Sequence, residues 1–164
     1  MEISPLLHPK VVHLAIGWMM GAVGFALAWL IWNRTWLRMA ALVLAVAGSV
    51  ALFGARQTGE EAEHAFAEAG RMTEAVHEAI EAHEEWGTRA WIGSMLWAVV
   101  LVLLSWRRWD ALWVRGLVAI LGLVLAYLIY QTGELGGELT YRHGVNVQTQ
   151  APASEEASGH GTVE

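Results

Sequence analysis

Four long apolar stretches constrain this chain more than any other feature of its sequence. They run over residues 11–32, 36–54, 90–106 and 111–130. A helix needs about 20 residues to cross the hydrocarbon core of a bilayer, which is about 30 Å thick. Hydrophobic residues make up 55% of the 164 positions, which is unusual for a soluble protein of this size. The sequence therefore predicts an all-α integral membrane four-helix bundle that forms one domain over residues 1–147.

Composition narrows the chemistry that such a bundle can support. The chain contains no cysteine, which excludes disulfides, thiolate metal sites, iron–sulfur clusters and thioether-linked haem. Any metal or cofactor must be held by His, Glu, Asp, Met or backbone groups. No nucleophile elbow, phosphate-binding loop or Ser/His/Asp spacing indicates a hydrolase or transferase. The acidic net charge of −6 does not suit a nucleic-acid partner.

The charged residues predict how the four spans are oriented. The side with the short connections 33–35 and 107–110 carries five arginines against one aspartate. The opposite side carries five basic residues against fifteen glutamates, a formal charge of about −10. Arginine-rich short loops mark the cytoplasmic side. We therefore expect a multi-pass protein of the bacterial inner membrane with both termini on the outer, periplasmic side, and we expect Arg115 to snorkel toward the headgroups.

The segments outside the spans carry their own structural signals. The connection 55–89 is rich in Ala and Glu and lacks proline, which predicts an acidic amphipathic helical hairpin on the outer face, broken near Gly70. The glycine-rich segment 133–144 favours a tight re-entrant turn that presents His143 to the bundle. Residues 148–164 are small, polar and acidic, so we expect a disordered tail. Tryptophans near the span ends, which include Trp29 and Trp97, are typical of an aromatic belt.

All seven histidines fall on the predicted outer side: His8, His13, His64, His77, His83, His143 and His160. His13 lies about one turn inside an apolar stretch, where a polar side chain is costly and usually has a partner or a function. His8 precedes Pro9 and is expected at the cap of the first helix. His8 and His13 lie about 140° apart around a helix, so they cannot grip one metal ion from one face. Solvated surface histidines and helix caps are the alternative interpretation, above all for His64 and His77.

Three kinds of site are compatible with these histidines. The first is b-type haem, with iron held by histidines from two helices between apolar walls. The second is a di-iron carboxylate site, because Glu61–His64 and Glu74–His77 have the i, i+3 spacing of di-iron bundles. That site would need further carboxylates, for which the candidates are Glu84, Glu134 and Glu138. The third is a loose copper or zinc site of imidazoles and carboxylates.

Three motifs occur together in this chain: HPKVVH at 8–13, AHEEWG at 82–87 and GGELTYRHGV at 136–145. Together they resemble a bacterial family of four-helix membrane proteins of unknown function, with the pattern HPxxVH … HE … GGxLxYRHGV. The resemblance covers residues 5–147 and points to His8, His13, His83 and His143. It implies a histidine layout similar to that of di-haem membrane cytochromes, and some relatives are joined to Rieske-type iron–sulfur domains. Four histidines would suit two bis-histidine haems, or one haem with supporting hydrogen bonds.

Our leading hypothesis is a membrane b-type cytochrome, or a cytochrome-like subunit, that binds one or two haem b groups and takes part in electron transfer. His13 and His143 are the first ligand candidates, followed by His8 and His83. The expected partners are membrane lipid, quinol, and a cationic periplasmic carrier such as cytochrome c. One alternative is a non-haem Cu, Zn or Fe protein that uses the Glu/His hairpin. Another is a cofactor-free accessory subunit of a larger respiratory or photosynthetic complex. Either subunit role fits the chain better than a stand-alone enzyme.

Overall fold

The computed structural model describes residues 7–107 and 109–145, and this part of the chain contains helices and turns but no strand. The helices are α1 (Leu7–Trp32), α2 (Thr35–Glu68), α3 (Glu74–Arg107) and α4 (Leu112–Tyr141). By length and composition, all four could cross a membrane. The prediction of an all-helical, four-span fold is confirmed. The tail 148–164, with His160, lies outside the described residues.

The four helices form a bundle in which α1 and α3 are diagonal. α1 packs against α2 and α4, and α3 packs against the same two helices. Within the described ranges, no such contact joins α1 to α3. We call the end with residues 29–38 and 104–115 the arginine end, and the end with residues 7–13, 55–89 and 131–145 the histidine end.

Apolar side chains occupy both the inside and the outside of the bundle. Met19, Leu101 and Val118 are fully buried at its centre. Val43 and Ile120 point outward and are at least 60% exposed, which suits a hydrocarbon environment and would be costly in water over so many positions.

Two tryptophans correct the expectation of an aromatic belt. Trp29 and Trp97 are buried in the core, with 0% and 2% of their surfaces exposed. Trp97 Nε1 donates a hydrogen bond to the Val118 carbonyl oxygen at 3.1 Å. A Cβ atom added at Gly122 would lie 3.0 Å from the Trp97 ring, so the glycine makes the room that the indole needs. Position near a span end therefore did not distinguish an interior tryptophan from an anchoring one.

The helices of the histidine end continue well past the apolar stretches. α2 extends to Glu68, Gly70 turns with a φ of 68°, and α3 begins at Glu74. A small apolar cluster holds the tip of this hairpin against the end of α4. Its buried members are Phe66, Val76, Ile80, Leu139 and Val145.

The predicted re-entrant turn over 133–144 is wrong, because α4 remains helical through Gly133, Gly136 and Gly137 to Tyr141. The chain reverses only at Gly144, where φ is 64°, and the Val145 amide then donates to the Leu139 carbonyl oxygen at 3.0 Å. A glycine costs a helix about 1 kcal/mol relative to alanine, which packing between neighbouring helices can outweigh. At Gly136 the helix uses the missing side chain for such a contact, described below.

Two arginines are held inside the arginine end. Arg38 is 4% exposed and forms an ion pair with Asp110, in the connection between α3 and α4. Arg115 Nη1 donates to the carbonyl oxygens of Trp29, at 3.2 Å, and Leu30, at 2.8 Å. These carbonyls belong to the last turn of α1, which lacks intrahelical partners and carries partial negative charge. Arg115 therefore binds the end of α1, where we had expected it to reach toward the headgroups.

Candidate functional site

His8 lies in the first turn of α1 and contacts α2. Its Nδ1 is 2.9 Å from the Ala55 carbonyl oxygen and 3.1 Å from Thr58 Oγ1. A Cβ atom added at Gly59 would lie 3.2 Å from His8 Cε1, so the imidazole packs directly over that glycine. The expected helix cap is corrected, because the ring of His8 binds the neighbouring helix.

His83 repeats this arrangement between α3 and α4. Its Nδ1 lies 3.0 Å from the Thr132 carbonyl oxygen, and a Cβ atom added at Gly136 would lie 3.0 Å from His83 Cε1. In both cases the carbonyl and the glycine are four residues apart on one helix. That carbonyl already accepts the amide of the residue four positions later. An imidazole can become its second donor because the glycine presents no side chain to block the approach.

The matching contacts show that the two helical hairpins, α1–α2 and α3–α4, correspond to one another. Thr132 and Gly136 each lie 77 residues after their counterparts Ala55 and Gly59, and Arg115 likewise follows Arg38. The sequence interpretation missed this correspondence. A faint sign is present, because QTGE occurs at 57–60 and again at 131–134. Those letters are three residues out of step with the structural match, so the repeat alone would have misaligned the hairpins.

The hydrogen bonds define which ring nitrogens of His8 and His83 are available. A carbonyl oxygen only accepts, so Nδ1 carries the hydrogen in each ring, and the lone pair of a neutral ring lies on Nε2. Both residues lie outside the apolar stretches. Burial lowers the pKa of His8. Burial and the charge of His8 lower the pKa of His83, against the opposing effect of its backbone hydrogen bond. The arrangement therefore favours two neutral imidazoles, close enough for their charges to interact, each with Nε2 able to bind a metal.

His13 and His143, the other two histidines of the motif set, have different surroundings. His13 is exposed, and its Nδ1 lies 2.6 Å from the Pro9 carbonyl oxygen of its own helix. His143 is half-buried in the turn after α4, where the neighbouring Gly144 carbonyl oxygen accepts from Arg71 Nη2 at 3.1 Å. That contact ties the His143 turn to the tip of the α2–α3 hairpin. Of the four histidines, the structure brings together His8 and His83.

The Glu/His pairs of the hairpin lie at the surface. Glu61, His64, Glu74 and His77 are all exposed. His77 Nε2 lies 3.4 Å from Glu81 Oε1, one turn further along α3. Across residues 7–107 and 109–145, no three His, Asp or Glu side chains are grouped so that they could hold a metal ion. The di-iron, copper and zinc hypotheses stay predictions, and the placement of these side chains does not add to them.

The glycine beside His83 gives a direct test of this packing. Gly136→Ala should lower the free energy of unfolding by about 1–3 kcal/mol, because the new methyl group must displace a ring held by its own hydrogen bond. The matched control is Gly133→Ala on the same helix, where an added Cβ would meet nothing within 4 Å. That change should be neutral or stabilise the helix by up to about 1 kcal/mol. Denaturant unfolding of the full chain in detergent compares the two, and equal effects would contradict the packing described for His83.

Comparison with known proteins places the chain in a family. No curated protein and no solved structure matches it. The family described as "Predicted membrane protein (DUF2231)" matches residues 4–149. This range contains all four helices and the histidines His8, His13, His83 and His143. The chain therefore belongs to the DUF2231 family of predicted membrane proteins.

Proposed function

We propose that this protein is a membrane b-type cytochrome, or a cytochrome-like subunit, in which His8 and His83 hold one haem at the histidine end. The observation that carries the proposal is the pair of imidazoles on diagonal helices. Each donates Nδ1–H to a backbone carbonyl and keeps Nε2 available. Histidines that bind metals commonly use the other ring nitrogen in this way, which orients the ring.

The donor set fits haem better than a bare metal ion. Haem iron takes four nitrogens from the porphyrin, so two protein side chains complete its coordination. A structural zinc ion needs about four protein ligands. α2 and α4 separate α1 from α3, so His8 and His83 approach the bundle axis from opposite sides, as two axial ligands must. Bound there, haem would supply reversible one-electron transfer, while the protein holds and orients the two imidazoles.

The charge of the histidine end supports an exchange of electrons with a cationic partner. The α2–α3 hairpin carries nine glutamates over residues 55–89 against three arginines. Burial and the nearby carboxylates of Glu63 and Glu60 raise the pKa of Glu84, while Arg56 opposes this. Arginine-rich short loops favour the cytoplasm, so we propose that the histidine end faces the periplasm of a bacterial inner membrane. A basic c-type cytochrome would bind there in a salt-sensitive encounter, and quinol would approach through the bilayer.

An optical spectrum tests the proposal. The protein is purified from membranes of cells supplied with a haem precursor, and its reduced-minus-oxidised difference spectrum is recorded with a pyridine haemochrome assay and metal analysis. We expect b-type bands and one haem per chain. A protein without haem that retains copper, zinc or iron would favour the non-haem alternative. A protein with neither, copurifying with a larger complex, would favour the accessory-subunit alternative.

A further inference from the structure

The arginine end contains a group of unpartnered polar atoms that the haem proposal does not use. Four buried side-chain atoms have no hydrogen-bond partner among the described residues: Trp29 Nε1, Arg38 Nε, Ser105 Oγ and Arg115 Nε. One comes from each helix, from the last turn of α1 or α3 or the first turn of α2 or α4. Buried polar side chains nearly always have a partner, so four orphans at one end of the bundle call for a physical explanation.

Three of these atoms are N–H donors that lie around one indole. Trp29 is completely buried, and the side chain of Arg38 is only 5% exposed. Arg38 Cζ lies 5.6 Å from the centre of the Trp29 ring. Arg115 Nη1 donates to the Trp29 carbonyl oxygen at 3.2 Å. Indole and guanidinium groups donate hydrogen bonds and do not accept them. What this group lacks is therefore an acceptor.

The local charge favours an acceptor that is negative. Arg38 is paired with Asp110, whose side chain is 41% exposed. Arg115 is bonded to the neutral carbonyl oxygens of Trp29 and Leu30. Two guanidinium groups against one carboxylate leave one formal positive charge in a largely buried place. Buried charge is costly unless it is paired, and an anion would supply the pairing.

We propose that the arginine end binds a phosphate-type oxyanion, whose oxygens accept hydrogen bonds from Trp29 Nε1, Arg38 Nε and Arg115 Nε. Guanidinium groups suit this chemistry because their planar donors match phosphate oxygens. Trp36 and Trp113 at the same end are 63% and 70% exposed, which is typical of side chains at the level of lipid headgroups. The phosphate could therefore belong to a lipid headgroup or be free in solution. The proposal does not depend on haem.

Thermal unfolding of the full chain in maltoside detergent, which carries no phosphate, tests this site. One arm compares sodium phosphate with sodium chloride at equal ionic strength. The other compares phosphatidylglycerol with diacylglycerol, which has no phosphate. We expect Tm to rise by about 5–10 °C when the phosphate ligand is about 100-fold above its Kd. Trp29→Phe should weaken this response about tenfold, because it deletes one donor and keeps the ring. The exposed Trp113→Phe should leave the response unchanged.

The two arms separate the sources of phosphate. A response to inorganic phosphate assigns a free anion, and a response to phosphatidylglycerol alone assigns a headgroup. Arg115→Lys gives an independent variant, because it keeps the positive charge and removes the Nε donor. It should weaken the same response. Equal Tm values in both arms would overturn the proposal, as would a response that both Trp29→Phe and Arg115→Lys retain in full.

Discussion

Alanine at His8 or at His83 is expected to remove haem from the protein. Each imidazole is one of the two proposed iron ligands, and each is already oriented by a hydrogen bond to a neighbouring helix. Losing a partner that only orients a metal ligand costs about 10–100-fold in metal affinity. Losing the ligand itself should therefore cost more than this. Pyridine haemochrome assays on the purified variants measure the haem that remains per chain.

Controls separate the loss of a ligand from the loss of the fold. His13→Ala and His64→Ala change exposed histidines and should leave the haem content near that of the unmodified protein. His83→Met keeps a side chain that can bind haem iron, so it should retain haem with a raised reduction potential. If haem instead survives both His8→Ala and His83→Ala and is lost with His13→Ala or His143→Ala, the ligands are the pair that the sequence ranked first.

Asp110→Asn should lower the free energy of unfolding by about 2 kcal/mol. The change leaves the Arg38 guanidinium, with a side chain 5% exposed, without its charged partner. Breaking a fully buried ion pair costs about 3–5 kcal/mol, and the lower value reflects the 41% exposure of Asp110. Denaturant unfolding of the full chain in detergent measures the difference.

A surface ion pair provides the comparison for Asp110. Arg56 and Glu60 are separated by 3.2 Å, with side chains 46% and 43% exposed. Glu60→Gln should change the free energy of unfolding by less than about 1 kcal/mol, because exposed pairs contribute little. Equal costs for the two substitutions would mean that Arg38 is not stabilised by Asp110 in the way its burial suggests.

The helices could be predicted because a chain in lipid must satisfy its backbone hydrogen bonds internally, so apolar stretches of this length become helices. Their ends were harder to predict. Segment 133–144 looked like a turn because glycine is common in turns. In the structure Gly136 provides room for His83 inside a helix. Composition shows that a side chain is missing, and only the neighbouring helix shows why.

The histidines illustrate a second limit. Hydropathy gives the depth of His13 in the membrane but does not tell which way its side chain points. The 140° separation of His8 and His13 indicated different roles, and the structure agrees, with His8 against α2 and His13 exposed. Partners for His8 and His83 lie 47 and 49 residues away in the chain. Contacts at that distance depend on the packing of helices, which no local pattern specifies.

The central claim is that one haem iron takes both axial ligands from His8 and His83. Electron paramagnetic resonance of the oxidised protein tests it most directly, because the spectrum reports the number and type of axial ligands. We predict a low-spin ferric signal of bis-imidazole type at one haem per chain, which is lost in His8→Ala and in His83→Ala. A high-spin ferric signal in the unmodified protein, or a low-spin signal that survives both substitutions, would contradict the account.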